Sequence, residues 1–182
     1  GEEGELVVTR LHAHEAPLPR LALGDRAIAR PRLSGDELET QQFELVGRSG
    51  DRIEVGGARC SAPRAYAALG NALKAAGVLD LAAWAREVQF VHDRRAGVLR
   101  LLAAGDAAET LAARLPSALG DDGLRQVFVE ALAQSPFSGD PGDGARAIAA
   151  AGYSFELHLV PRWSELIHRT HLGKVPLVRN TA

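Results

Sequence analysis

The sequence predicts an α+β protein, a small β-meander followed by a mixed sheet with helices on one face. Three observations carry this expectation. Short β-branched and apolar runs, punctuated by Pro and Gly-Asp, fill the first 46 residues, as in strands joined by turns. Gly47 and Gly50 flank Arg48 and Ser49, where the chain leaves one sheet for the next. Beyond them, strand patterns alternate with segments of helical spacing, the pattern of helices packed on a sheet. The expected division is a β-rich part over 1–46 and an α+β domain over 47–182.

In the first part, Glu5 to Arg10, Leu18 to Ile28 and Phe43 to Val46 read as strands, and Ser34-Gly-Asp-Glu-Leu-Glu39 as a polar turn. Arg52 to Val55 is a short strand ending in Gly56-Gly57, a tight hairpin. Ser61 and Pro63 start a helix: the hydroxyl can cap free amides, and proline in a first turn forfeits no donor. Tyr66, Leu69 and Leu73 share its face, and Gly77 ends it. Asp80 caps a second short helix through Trp84, a core residue. Glu87 to His92 and Val98 to Leu102 are apolar strands joined into a hairpin by the charged loop Asp93-Arg-Arg-Ala-Gly97.

A helix from Asp106 sets Ala107, Ala108, Leu111, Ala112 and Leu115 in register. Another from Asp121 or Asp122 does the same for Leu124, Val127, Phe128, Ala131 and Leu132. Ser135 to Asp143 is the longest cluster of breakers and reads as a mobile surface loop. Ala145 to Ala151 is a short helix, Tyr153 to Val160 a strand, and Pro161-Arg-Trp163 a turn, with a last short strand after Lys174.

Composition narrows the function classes. A formal net charge of −2, with cations scattered among acids, leaves no electrostatic footprint for nucleic acid. The single Cys60 cannot close an internal disulfide, and no secretory signal or membrane-length apolar run is present, so a reducing cytoplasm is the expected setting. The start Gly-Glu-Glu-Gly and the lack of Met read as a piece of a longer protein, with an N-terminal part ahead of it. His12, His14, His158, His168 and His171 raise the question of a metal, but no Cys or third ligand completes a set. His168 and His171, spaced by three, would share a helix face. Cys60 lacks a Cys-His-acid pattern and reads as a packed thiol.

The chemistry sits in the order of short motifs. Gly24-Asp25 closing one strand and Gly47-Arg48-x-x-Asp51 opening the next can bring a carboxylate beside a guanidinium. A carboxylate accepts from a diol, and a guanidinium donates to phosphate from a planar fork, so such a pair suits a sugar hydroxyl and a phosphate. Near the end, Lys174 follows Gly173, and an ammonium on a flexible stem can reach a phosphate or carboxylate when a domain closes. Taken alone, each motif is common punctuation or a solvated side chain.

Together, Gly4-Glu-Leu-Val-Val-Thr9, Pro17-Leu-x-Arg20-x-x-x-Gly24-Asp25 and Gly47-Arg48-x-x-Asp51-x-Ile53-x-Val55-x-Gly57 resemble the back end of an adenylate-forming enzyme. The closest branch is the phenylacetate-CoA ligase and coenzyme F390 synthetase group. The resemblance covers Gly4 to Pro63 and returns at Gly173-Lys174. It implies a C-terminal lid domain behind the β-rich tail of an N-terminal adenylation domain. It also implies that Asp25 binds ribose hydroxyls, Arg48 contacts the same nucleotide, Ser49, Gly50 and Asp51 form the hinge, and Lys174 is the catalytic lysine. Arg169 matches a basic position in many relatives and is the reserve candidate. Leu21, Ala22 and Leu23 stand where the family has an aromatic residue and a second Arg, and Gly50 where it has Asp. The helical content before the last strand exceeds the compact family version and suggests an insertion.

For the complete enzyme the resemblance implies ATP (ending as AMP), Mg2+ and CoA, a carboxylic acid substrate, aromatic acids among them, and an acceptor thiol on CoA or a carrier protein. No Gly-rich phosphate loop and no aromatic-Gly-x-Thr-Glu segment is present, so this stretch alone is expected to be inactive, without a tight cofactor site of its own. Two alternatives stand beside this expectation: a non-catalytic interaction module of the same fold, and an adenylating partner of an acyl carrier protein. Neither membrane nor nucleic acid is an expected partner.

Overall fold

The computed structural model describes residues 3–10, 18–31, 42–113, 115–134 and 141–181. The chain divides into two units, Gly1–Gly50 and Asp51–Ala182.

The first unit is an antiparallel meander of β1 (Glu3–Arg10), β2 (Leu18–Arg30) and β3 (Gln42–Arg48), in that order. Its middle strand corrects the expectation of turn-joined pieces, because β2 runs unbroken through Gly24-Asp25. Glu5 opposes Arg26 while Val7 opposes Ala22, so Leu23, Gly24 and Asp25 bulge opposite Leu6 alone. Gly24 takes a φ of +74°, open to glycine without steric cost. The expected Ser34–Glu39 turn lies outside the described residues.

The second unit begins with a hairpin of β4 (Arg52–Val55) and β5 (Ala58–Ser61). Val55 pairs with Ala58, and Gly56 and Gly57 between them have φ of +59° and +84°, the positive pair that a two-residue hairpin turn demands. Helix α1 (Ala62–Ala75) follows, with Pro63 in its first turn. Ser61 occupies the N-cap position, but its side chain caps nothing, which corrects the expected hydroxyl cap. The C-terminal signal holds: Gly77 N–H donates to Lys74 O and Val78 N–H to Leu73 O, both at 3.0 Å, with Gly77 left-handed. Asp80 Oδ1 accepts from Ala83 N–H at 3.2 Å to start α2 (Leu81–Trp84).

Strands β6 (Glu87–Asp93) and β7 (Val98–Gly105) form the expected hairpin. Asp93 Oδ1 accepts from Arg95 and Ala96 N–H across its turn. Helices α3 (Ala108–Ala112), α4 (Leu115–Ala133) and α5 (Pro141–Ala150) lead to β8 (Ser154–Pro161), and β9 (Val178–Thr181) closes the unit. The helix expected from Asp106 through Leu115 is shorter, since Ala107 is left-handed at its start. Gly120, at φ +65°, breaks α4, and the helical backbone resumes at Asp121, where a start was expected. Of the expected loop over Ser135 to Asp143, residues 135–140 lie outside the described residues and Pro141 opens α5.

The sheet order is β8-β7-β6-β9, with β6 and β7 antiparallel and both outer strands parallel to their neighbours. Strand alternation decides which side chains meet the helices. Phe90, Leu99, Leu101 and Phe155 face them and are buried with Leu69, Leu73, Phe128 and Ile148. Burying side chains of this kind stabilises by about 1.5–3 kcal/mol each. Val91, Leu102, Ala104 and Val160 point the other way, where Ile167 and Val175 of the segment joining β8 to β9 pack on them. The architecture is the α+β arrangement expected, with helices on one face and one irregular segment across the other. No helix among the described residues is long and apolar enough to cross a membrane.

Candidate functional site

The register of β2 against β3 has a chemical consequence in the first unit. Asp25 sits directly across from Arg48, the last residue of β3, and the register slips just beyond, between Arg26 and Ala27. Arg48 Nε lies 3.6 Å from Asp25 Oδ1, with the Arg48 side chain 68% exposed and the Asp25 side chain 36% exposed. At that distance and exposure the pair is an ion pair beyond hydrogen-bond length, adding about 0–1 kcal/mol to stability. Its chemical character is more informative: acceptor oxygens and a donor fork stand side by side at a strand end facing solvent. The sequence expectation of a carboxylate beside a guanidinium holds in position. The local structure differs, since Asp25 lies mid-strand at a bulge and Arg48 ends a strand instead of opening one. Ala22 is exposed, and nothing else of the Leu21 to Leu23 departure falls on described side chains.

Ser49, Gly50 and Asp51 form one 3-10 turn between β3 and β4, and the two units part between Gly50 and Asp51. Gly50 is outside the left-handed region, and a Cβ added to it meets no atom within 4 Å. Nothing in this conformation therefore requires glycine there.

Lys174 belongs to the second unit, on a tight turn in the segment that crosses the sheet. Thr170 N–H donates to Lys174 O at 2.8 Å, Gly173 N–H to Thr170 O at 2.8 Å, and Lys174 N–H to Thr170 Oγ1 at 3.2 Å. Gly173 makes the turn possible with φ +74°. The lysine is exposed, and its ammonium pairs with no acid among the described residues. Two surface depressions on this unit, one on the open sheet face near Arg100 and one beyond Gly105, leave Lys174 outside their linings. An unpaired ammonium on an ordered turn can act on an anion brought to it.

Residues that sequence reasoning missed hold this segment. Gln89, fully buried in β6, donates from Nε2 to His168 O at 3.1 Å and Pro176 O at 3.0 Å, and accepts from His168 N–H at 3.0 Å. Glu87, on the same face of β6, pairs with Arg169. Arg169 also donates to Ser164 O at 3.1 Å and stacks 5.5 Å over the Trp163 ring. The reserve candidate is thus occupied in tying down the turn. A signal for Gln89 existed: a polar residue inside an apolar strand is satisfied by something specific. His168 lies in irregular backbone of this segment and His171 in a turn, not on the helix face expected.

Two further polar groups are interior. Burial pushes the Cys60 thiol up to about 12, and it is 1% exposed, a packed group as expected. His92, 0% exposed, has Nε2 3.0 Å from Tyr153 Oη. Burial, then the Arg94 charge, hold its pKa below the ordinary value against the opposing influence of Asn180, Glu54 and Asp93.

No protein-family model and no curated sequence matches the chain. Solved structures do. A crystal structure of 2-hydroxyisobutyryl-CoA ligase in the postadenylation state with 2-HIB-AMP superposes with a TM-score of 0.50 at 19% identity, over 100% of this chain and 32% of the ligase. The same enzyme with R3-HIB-AMP gives 0.51 at 18%, over 99% and 32%. The chain has the fold of the C-terminal part of an adenylate-forming ligase. It spans about a third of the length of the CoA ligase it matches. In this ligase fold the meander carries the Asp25 and Arg48 pair, and the α+β unit carries the Lys174 turn.

Proposed function

We propose that this chain is the C-terminal part of an ATP-dependent acid–thiol ligase, which forms an acyl-adenylate and passes the acyl group to a thiol such as CoA. The observation that carries the proposal is the placement of Asp25 opposite Arg48 two residues before the division between units. Asp25 accepts from the ribose hydroxyls and Arg48 donates to the nucleotide from the neck of the moving domain. The donor set fits a nucleotide: one carboxylate for a diol, one fork for an anion. The N-terminal adenylation domain supplies the remaining ATP and acid contacts. Mg2+ enters with ATP as its counter-ion, and no residue of this chain is assigned to hold it.

In the first half-reaction a substrate carboxylate oxygen bonds to the α-phosphorus of ATP, the bond to pyrophosphate breaks, and acyl-adenylate forms. Lys174 stabilises the negative charge gathered between carboxylate and phosphate. In the second, a thiol attacks the acyl carbon and AMP leaves. Lys174 must withdraw before the thiol enters, so Ser49, Gly50 and Asp51 act as the hinge between residues 1–46 and the lid that follows. The acid is a carboxylate, aromatic acids among the candidates, the acceptor is CoA or a carrier-protein thiol, and the setting is the cytoplasm.

The test follows pyrophosphate release by the full-length protein with ATP and a panel of aromatic and aliphatic acids, beside Lys174→Ala. Release with one acid, falling about 10²- to 10³-fold in the variant, is expected. Silence across the panel with no ATP binding by calorimetry would favour a lid fold kept for interaction alone.

A further inference from the structure

We infer that Gln89 is the positioning residue for Lys174, one buried carboxamide that holds both limbs of the turn presenting the lysine. Its three bonds reach backbone groups on either side of that turn. His168, two residues before Thr170, offers both its carbonyl and its N–H, and Pro176, two residues after Lys174, offers its carbonyl. The turn itself closes between Thr170 and Lys174. One planar group with two N–H donors and an acceptor oxygen satisfies this set; a carboxylate has no donor, and an aliphatic chain has neither.

The neighbouring contacts act on the same segment. Glu87, two residues before Gln89 in β6, pairs with Arg169, whose guanidinium also meets the carbonyls of Ser164 and Ile167. The approach to the turn is therefore braced by two side chains of one core strand, while the lysine tip stays unpaired among the described residues. A fixed base with a free tip is how a flexible side chain is brought repeatedly to one position, and a misplacement of about 1 Å costs about 10²-fold in rate. The catalytic consequence depends on the role proposed above for Lys174.

The experiment compares full-length Gln89→Leu, Gln89→Asn and Lys174→Ala in the two half-reactions separately. The acids are phenylacetate and 2-hydroxyisobutyrate. Adenylation is read by ATP–pyrophosphate exchange, and thioester formation by supplying the synthetic acyl-adenylate with CoA. Gln89→Leu is expected to slow exchange about 10²-fold and leave thioester formation unchanged. Gln89→Asn keeps both donors and the acceptor on a side chain one methylene shorter and is expected to lose less, which provides a second variant if the leucine protein fails to fold. Equal loss in both half-reactions, or exchange at the unmutated rate in both Gln89 variants while Lys174→Ala abolishes it, overturns the inference.

Amide hydrogen exchange gives a readout independent of activity. Thr170, Gly173 and Lys174 amides are expected to exchange about tenfold faster in the Gln89 variants, with β6 and β7 unchanged. If Lys174→Ala leaves pyrophosphate exchange untouched, the role proposed for Lys174 fails; if neither acid supports exchange, the substrate is another acid. Amide exchange then decides Gln89 alone: faster exchange confirms that it holds the turn, and unchanged amides overturn it.

Discussion

Asp25 and Arg48 face each other across β2 and β3, with the guanidinium Nε 3.6 Å from a carboxylate oxygen on an exposed strand end. If this pair serves stability, its loss is nearly silent, because exposed ion pairs contribute about 0–1 kcal/mol. If it serves a nucleotide, each partner matters separately. Asp25→Ala and Arg48→Ala are expected to change the denaturation midpoint little and to weaken ATP use by about 10- to 100-fold each, the scale of a bond to a charged group. The exchange Asp25→Arg with Arg48→Asp keeps an ion pair but reverses donors and acceptors, so ATP use should stay lost. Recovery of pyrophosphate exchange in that double variant would remove the pair from nucleotide binding.

Gly56 tests the packing of the β4-β5 hairpin. A Cβ there would lie 2.8 Å from Ala151 Cβ and closer still to the Ala147 carbonyl oxygen of α5, on backbone at φ +59°. Gly57 has φ +84° but open space around it. Gly57→Ala should therefore cost about 1–2 kcal/mol for left-handed backbone. Gly56→Ala should cost about 1–3 kcal/mol more, because backbone atoms must give way. Urea denaturation measures both, and equal losses would mean that α5 does not press on the turn.

Legibility in the sequence followed the range of the physics. Gly77, Asp80 and the Asp93 to Gly97 loop were readable because caps and hairpin turns are settled within a few residues. The neighbourhood of Asp25 and Arg48 was readable from motif order, whereas the register shift between Arg26 and Ala27 that sets them opposite was not, since ladder register depends on two segments far apart in the chain. Ser61 lies at a helix start, yet its hydroxyl caps nothing, because tertiary burial to 2% exposure decides where that side chain sits. Gln89 was passed over inside an apolar run, and its partners His168 and Pro176 are far along the chain. Local pattern cannot name such partners.

His92 makes the second unit sensitive to acid. It is buried beside Tyr153, and burial with the Arg94 charge lowers its pKa in the folded protein below the ordinary 6.5. The unfolded chain then binds the proton more readily than the folded one, so stability rises with pH across that gap. Its contribution is complete above the unfolded pKa and is lost as pH falls through 6.5 toward the folded value. Urea midpoints measured between pH 7.5 and about 5 should decline in the unmutated protein. In His92→Gln, which has no titrating ring, that part of the decline should vanish. An undiminished slope in the variant would assign the acid sensitivity to other groups.

Gly50 distinguishes a turn that merely connects from one that moves. In the present conformation its φ is not left-handed and a Cβ meets nothing, so Gly50→Ala should leave stability unchanged or raise it by about 0.4–1 kcal/mol through the unfolded chain. A hinge that swings through left-handed backbone would meet a different cost, about 1–2 kcal/mol for alanine. That corresponds to about a 5- to 30-fold loss in the population of the second position. The expected signature is an enzyme at least as stable as its parent, with overall thioester formation slowed by that factor while one half-reaction keeps its rate. Full turnover in Gly50→Ala would assign the hinge to Ser49 or Asp51 and not to the freedom of the glycine between them.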